Sequence, residues 1–197
     1  MQANQNFYLN QVNLFTEVLK NCLVTNAEGK VEVLEKSLTA VVDMLNSLRT
    51  NKSDLYIIGN GGSASVASHA VIDFLNVGKI KAHVMHESPV ITCMANDYGF
   101  ENCYSQQIPV FLDSKSILIA ISSSGNSRNI CNAVQAAKNV GSTIITLSGF
   151  SEKNTLRSMG TLNFYLNSSE YGMVEIGHQF ILHNLADRIR LQMNAHI

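Results

Sequence analysis

Apolar residues follow two rhythms along the chain. In FYLNQVNLFTEVLKNCLV, Phe7, Val12, Leu14, Phe15, Val18, Leu19 and Leu23 recur at helical spacing, which predicts an amphipathic helix over residues 7–24. The pattern returns in VEVLEKSLTAVVDMLNSLRT after the polar turn NAEGK, so a second helix is expected over residues 31–50. Both helices have wide apolar faces, enough for one side to cover the domain and another to meet a second copy. From Leu55 the rhythm changes. LYIIG, KAHVM, SILIAIS, STIITLS and TLNFYL are short, rich in Ile, Val, Leu and Thr, and bounded by Gly, Asn or Ser, which reads as strands. Helical stretches lie between most of them: SVASHAVIDFLNV, the region around NCYSQQIPVFL, RNICNAVQAAKNV, and a short one near EKNTLRSM. A long last helix, MVEIGHQFILHNLADRIRLQM, follows. This alternation predicts an α/β fold, a parallel sheet covered by helices on both faces, over residues 51–197. Residues 1–50 form a helical extension of the same single domain.

Composition narrows what such a domain can do. The chain has 197 residues, 46% of them hydrophobic, which suits one full core. A net charge of -1 leaves no basic surplus to neutralise a nucleic-acid backbone or an anionic membrane, so neither is an expected partner. No apolar run approaches the roughly 20 residues that span a bilayer, and the opening MQANQNFYLNQ has neither the basic nor the apolar part of a signal peptide. A cytoplasmic location is expected. Cys22, Cys93, Cys103 and Cys131 show no CxxC spacing, so free, buried thiols are expected at all four.

Open parallel sheets bind ligands beyond the carboxyl ends of their strands, and two strand-to-helix loops have the composition for it. Gly59-Asn60-Gly61-Gly62-Ser63 follows LYII, and Ser122-Ser123-Ser124-Gly125-Asn126-Ser127 follows SILIAI. Glycine lets an oxygen-rich ligand approach the main chain, and free amides at the next helix start then face it. Hydroxyls of the serine run add donors. At roughly 1.5–3 kcal/mol for a hydrogen bond to a charged group, four or five donors hold a phosphoryl group without a lysine. GNGGS lacks the GxGxxG spacing and no GKS or GKT occurs, so neither a dinucleotide nor a nucleoside triphosphate is favoured.

IGNGGSASVASH, ANDYGFENCYSQQI, ISSSGNSRN, TLSG and the last segment, containing ExxHxxxxH, resemble in order and spacing the sugar isomerase (SIS) domain family. The resemblance is strongest to the phosphoheptose isomerases, which interconvert sedoheptulose 7-phosphate and D-glycero-D-manno-heptose 7-phosphate for bacterial surface polysaccharides (lipopolysaccharide or capsule). It implies a three-layer αβα sandwich of the flavodoxin-like kind. It also implies that Asn60, Gly61, Gly62, Ser63, Asp97, Ser122, Ser123, Ser124 and Ser127 bind the sugar phosphate. His69 matches a metal ligand, Asp73 stands at the catalytic glutamate, His183 matches the catalytic histidine, and Glu175 replaces a glutamine that binds metal in some members. The family further implies a homotetramer whose sites combine residues of neighbouring subunits.

Helix geometry speaks to the same positions. His69 and Asp73 are four residues apart and share a helix face. Glu175 and His183 are eight apart, about 80 degrees around the helix. Such a set could hold one divalent ion, zinc first among them, with His69, Asp73, Glu175 and His183 as ligands. His178, three residues from Glu175, is an alternative to His183 by spacing. Moving a carbonyl between adjacent carbons needs a base at carbon and an acid at oxygen, roles open to Asp73 and His183, and no redox or nucleotide cofactor. The chain departs from the heptose isomerases at Asp73, at Glu175, and in SSEYGMVE, which lacks their Asp and Arg. Noncatalytic alternatives are a sugar-phosphate sensor and a scaffold for a protein partner, as in the DnaA-binding relative.

Overall fold

The computed structural model describes residues 6–194. Among the described residues seven strands form one sheet in the order β2-β1-β7-β6-β5-β3-β4. The five runs read as strands become β3 (Asp54–Ile58), β4 (Lys81–Val84), β5 (Ile117–Ser122), β6 (Thr143–Ser148) and β7 (Leu162–Tyr165), all mutually parallel. Side chains alternate across the sheet, and both sides are apolar because both are covered. Leu55, Ile57, Ile119 and Ile145 enter one core with α1 (Phe7–Lys20), α2 (Leu34–Asn51), α3 (Gly62–Asn76) and α7 (Tyr171–Asn194). Tyr56, Ile58, Leu118, Ala120 and Ile144 enter the other, beneath α5 (Ile108–Phe111) and α6 (Arg128–Asn139).

The N-terminal 50 residues are not wholly helical. α1 stops at Lys20, where the Asn21 amide donates to the Glu17 carbonyl (2.8 Å) and satisfies an end of the helix. Leu23–Asn26 (β1) and Val31–Glu32 (β2) then form a hairpin that joins the sheet antiparallel to β7. Asn26 makes its turn, its side-chain oxygen accepting from the amides of Glu28 and Lys30 (3.1 and 3.0 Å), and Gly29 supplies φ +77. Periodicity also misses α4 (Ser88–Tyr98), which has Pro89 in its first turn and leans on the second core only through the partly buried Ile91, Met94 and Ala95. Around NCYSQQIPVFL only a 3₁₀ turn (Phe100–Asn102) and the four-residue α5 form, and EKNTLRSM yields the 3₁₀ turn Leu156–Ser158.

All four cysteines are free, and Cys22 and Cys103 are buried as expected. Burial pushes the Cys22 thiol up to about 12. Cys131 is only partly buried and Cys93, on α4, is exposed, because no element packs over that helix face. Among the described residues no helix is long and apolar enough to cross a membrane.

β3 and β5 are neighbours, yet α3 leaves β3 toward one face while α6 leaves β5 toward the other. The chain thus switches faces between these two strands, and a crevice opens beyond their carboxyl ends.

Candidate functional site

The crevice is lined by the two loops the sequence singles out. Asn60, Gly61, Gly62 and Ser63 meet Ser122, Ser123, Ser124 and Ser127 around a cavity of about 240 Å³, with Tyr171 and Glu175 of α7 on its rim. No lysine or arginine is among these lining residues. Gly61 has φ +52 and Gly125 φ +65, conformations that glycine adopts without strain. At Gly59 the limit is space: a Cβ there would lie 2.5 Å from the Ser63 carbonyl carbon and oxygen. In the second loop the Ser122 hydroxyl meets that of Ser127 (3.1 Å) and accepts from the Gly125 amide (3.2 Å). The Ser123 hydroxyl is buried with no partner among the described residues. An unpaired buried hydroxyl is unfavourable by about 1–3 kcal/mol, and a ligand in the crevice would satisfy it.

Other elements hold these loops in place. Asn60 and Asn129 exchange two amide hydrogen bonds, each 2.8 Å, so the first loop is clasped to the first turn of α6. Tyr104 donates to the Gly59 carbonyl at 2.7 Å from a buried site. From below, Gly149 donates to the Ser123 carbonyl (3.0 Å) and Leu156 to that of Gly125 (2.8 Å), while Thr155 grips the Asn126 side chain. Asn129 and Tyr104 do not stand out in the sequence as site residues. The one signal for Asn129 was a polar residue within the apolar face of α6, beside Ile130, Ala133 and Val134.

His69, Asp73 and His183 come together on the exposed flank of α3 and α7, with one ligand atom from each within 4.8 Å of the others. His183 Nδ1 lies 2.9 Å from Asp73 Oδ2, and His69 Nε2 lies 3.5 Å from the same oxygen. Both rings are half exposed, whereas Asp73 is largely covered (14% exposed). Facing a carboxylate, Nδ1 of His183 is the donor in this contact. Nε2 is 3.9 Å from Asp187 on the next turn.

The remaining candidates fall elsewhere. Glu175 is not in this group; its carboxylate lies against Gly62 at the start of α3. His178, which spacing could not distinguish from His183, is fully buried and donates from Nε2 to the Ser148 carbonyl (3.2 Å). Burial pushes it down to about 4, so it is neutral at pH 7. Asp97 sits exposed on α4, accepting from Asn96 (2.9 Å) and close to Cys93, outside the cavity wall.

Within one chain, cradle and cluster are separate. Gly62 and Asp73 are eleven residues apart on α3, about 16 Å of helix. A seven-carbon sugar phosphate spans roughly 10 Å, at about 1.2 Å per bond of an extended chain.

Known proteins repeat this architecture. The phosphoheptose isomerase of Campylobacter concisus (strain 13826) is 28% identical over 185 residues, covering 85% of this chain and 96% of the relative. That of Citrifermentans bemidjiense is 28% identical over 190 residues, covering 92% and 96%. The structure of phosphoheptose isomerase GmhA from Neisseria gonorrhoeae superposes with a TM-score of 0.79 at 23% identity, over 92% of this chain and 95% of that one. Residues 20–149, which hold both loops and the His69/Asp73 pair, match the family described as SIS domain, and the chain is a member of that family.

Proposed function

We propose that the chain interconverts an aldose and a ketose phosphate, with sedoheptulose 7-phosphate and D-glycero-D-manno-heptose 7-phosphate as the pair, in the supply of heptose for surface polysaccharide. The observation that carries this reading is the hydrogen-bonded Asp73–His183 pair on a chain that also has a serine-lined anion cradle. A sensor or a scaffold needs the cradle or the surface, but not the pair. The named phosphoheptose isomerases that match most of the chain support the choice of sugar.

The phosphoryl group is held by the loop amides and by the hydroxyls of Ser122, Ser123, Ser124 and Ser127, with Asn60 and Ser63 on the opposite wall. Asp73 takes the proton from the carbon beside the carbonyl. His183, with Nδ1–H fixed on Asp73, uses its Nε2 to move the proton between the two oxygens, and an enediol forms. Asp73 returns its proton to the adjacent carbon. Each step is proton transfer, so electrons are only redistributed within the sugar. The roughly 6 Å excess of the separation over the sugar's length, from the helix rise, calls for the cradle of one chain and the Asp73–His183 pair of another. Ile72 and Leu75 beside Asp73, and Ile176 and Phe180 on α7, are 48–61% exposed and supply apolar surface for that contact.

His69, Asp73 and His183 also suit a divalent ion such as zinc, as two imidazoles and a carboxylate with an open fourth position. When bound, the ion would polarise the sugar's oxygens. The test is proton NMR in D₂O with sedoheptulose 7-phosphate. Deuterium should enter at the carbon next to the carbonyl as aldose appears, and Asp73→Asn and His183→Ala should abolish exchange while still binding the sugar phosphate. Exchange at the wild-type rate in both variants rules out the pair; binding without exchange by the wild-type chain favours the sensor.

A further inference from the structure

The serine half of the cradle contains no charged side chain, but the α3 half contains one, and it has the sign of the ligand. A Cβ on Gly62 would fall 2.3–2.4 Å from both carboxylate oxygens of Glu175, so that carboxylate rests directly on the first residue of α3. It lines the same cavity as Ser63 and the serine loop. Among the described residues no lysine or arginine pairs with it, those ion pairs going to Glu17, Glu152, Glu35 and Asp187. The carboxylate stands beside the opening turn of this 15-residue helix, whose N-terminal dipole favours an anion. A second observation shows that the cavity is built for a ligand beyond Glu175: Ser123, 5% exposed and lining the wall, has a hydroxyl without a partner.

We infer that Glu175 is a specificity-determining residue, an internal anion that limits how much negative charge the cradle accepts. This rests on the reading of the cradle as a phosphoryl site. A phosphoryl group entering the cavity meets the carboxylate at close range with no lining cation to offset it. At about 5 Å, even with the dielectric of water, a dianion and a carboxylate repel enough to weaken binding on the order of tenfold. A monoanion feels half of that, on the order of threefold. The dianionic ligand is accommodated on the serine side, away from Gly62, while the carboxylate is left to accept hydrogen bonds from uncharged hydroxyls of the same ligand.

The experiment is isothermal titration of the full-length chain in metal-stripped buffer near pH 8, with inorganic phosphate and with dimethyl phosphate, a monoanion. Wild type is compared with Glu175→Gln and with Glu28→Gln, which makes the same charge change on the β1–β2 turn at the opposite end of the sheet. The glutamine has the size of the glutamate, and circular dichroism checks that each variant is folded. Glu175→Gln should tighten phosphate about tenfold and dimethyl phosphate about threefold, with Glu28→Gln unchanged. Equal phosphate affinity in wild type and Glu175→Gln, weaker binding in Glu175→Gln, or the same gain in Glu28→Gln, overturns the inference while the phosphoryl site stands. Absence of phosphate binding by every variant, or binding that Ser123→Ala leaves unchanged, removes the phosphoryl site itself and the inference with it.

Discussion

His178 gives the fold a defined weakness to acid. Its ring is fully buried, with Nε2–H on the Ser148 carbonyl and Nδ1 facing no partner, and burial pushes its pKa down from 6.5 to about 4. The folded chain therefore holds His178 neutral at pH values where the unfolded chain has already protonated it. Stability is unaffected above pH 6.5 and falls as pH drops toward 4, because the unfolded state binds the extra proton. Linkage between these two values gives a loss of about 2 kcal/mol between pH 7.5 and pH 5, and about 3 kcal/mol at full protonation. Urea unfolding followed by far-ultraviolet circular dichroism at several pH values between 7.5 and 4.5 measures it, with His178→Gln as reference. The glutamine amide can keep a donor near Ser148 and does not titrate. Carboxylates elsewhere contribute equally to both proteins, so the difference isolates His178. The wild type should lose about 2 kcal/mol more than the variant between pH 7.5 and 5. Parallel stability curves would refute the argument, since they would mean that the ring is protonated, or solvated, in the folded state.

Other expectations concern the loops. Asn129→Ala leaves the Asn60 amide without its reciprocal partner, and should lower stability by about 1–3 kcal/mol and weaken phosphate binding, read by urea unfolding and titration. Ser123→Ala should do the opposite to stability, leaving it equal or slightly higher because a buried unpaired hydroxyl is removed, while weakening phosphate binding at least about tenfold. Gly59→Ala drives a Cβ to 2.5 Å from the Ser63 backbone, which cannot move without displacing the start of α3; a marked fall in melting temperature should follow. A melting temperature equal to the wild type would show that the turn is looser than its geometry.

Why some of this was legible in the sequence, and some not, is a matter of which forces act locally. The parallel strands could be read because burial on both faces demands uninterrupted apolar runs such as Ile117–Ser122. The β1–β2 hairpin could not, since Leu23 continues the helical spacing of α1 and only pairing with distant β7 makes it a strand. α4 is hidden for a different reason: its apolar stripe, Ile91, Met94 and Ala95, is short and only partly buried. At the site, glycine announces the loops because positive φ at Gly61 and Gly125 restricts the residue type, and the serine run because it concentrates hydroxyl donors. Their support is carried by Asn129 and Tyr104, whose partners lie 69 and 45 residues away. Spacing on α7 left His178 and His183 equivalent, and only the packing of that helix on the sheet makes one an interior residue and the other the partner of Asp73.

One consequence concerns chain length rather than residue type. The first turn of α3 lies in the cradle, and its later turns hold His69 and Asp73. Every residue added or removed between Ser63 and His69 rotates one part against the other by about 100 degrees and shifts it by about 1.5 Å. Substitutions at outward positions such as Ser65 leave that phase intact. The helix therefore tolerates changes of residue but not of length, and insertions belong in exposed turns such as Ala27–Lys30 on the β1–β2 hairpin, where neither part of the site is disturbed.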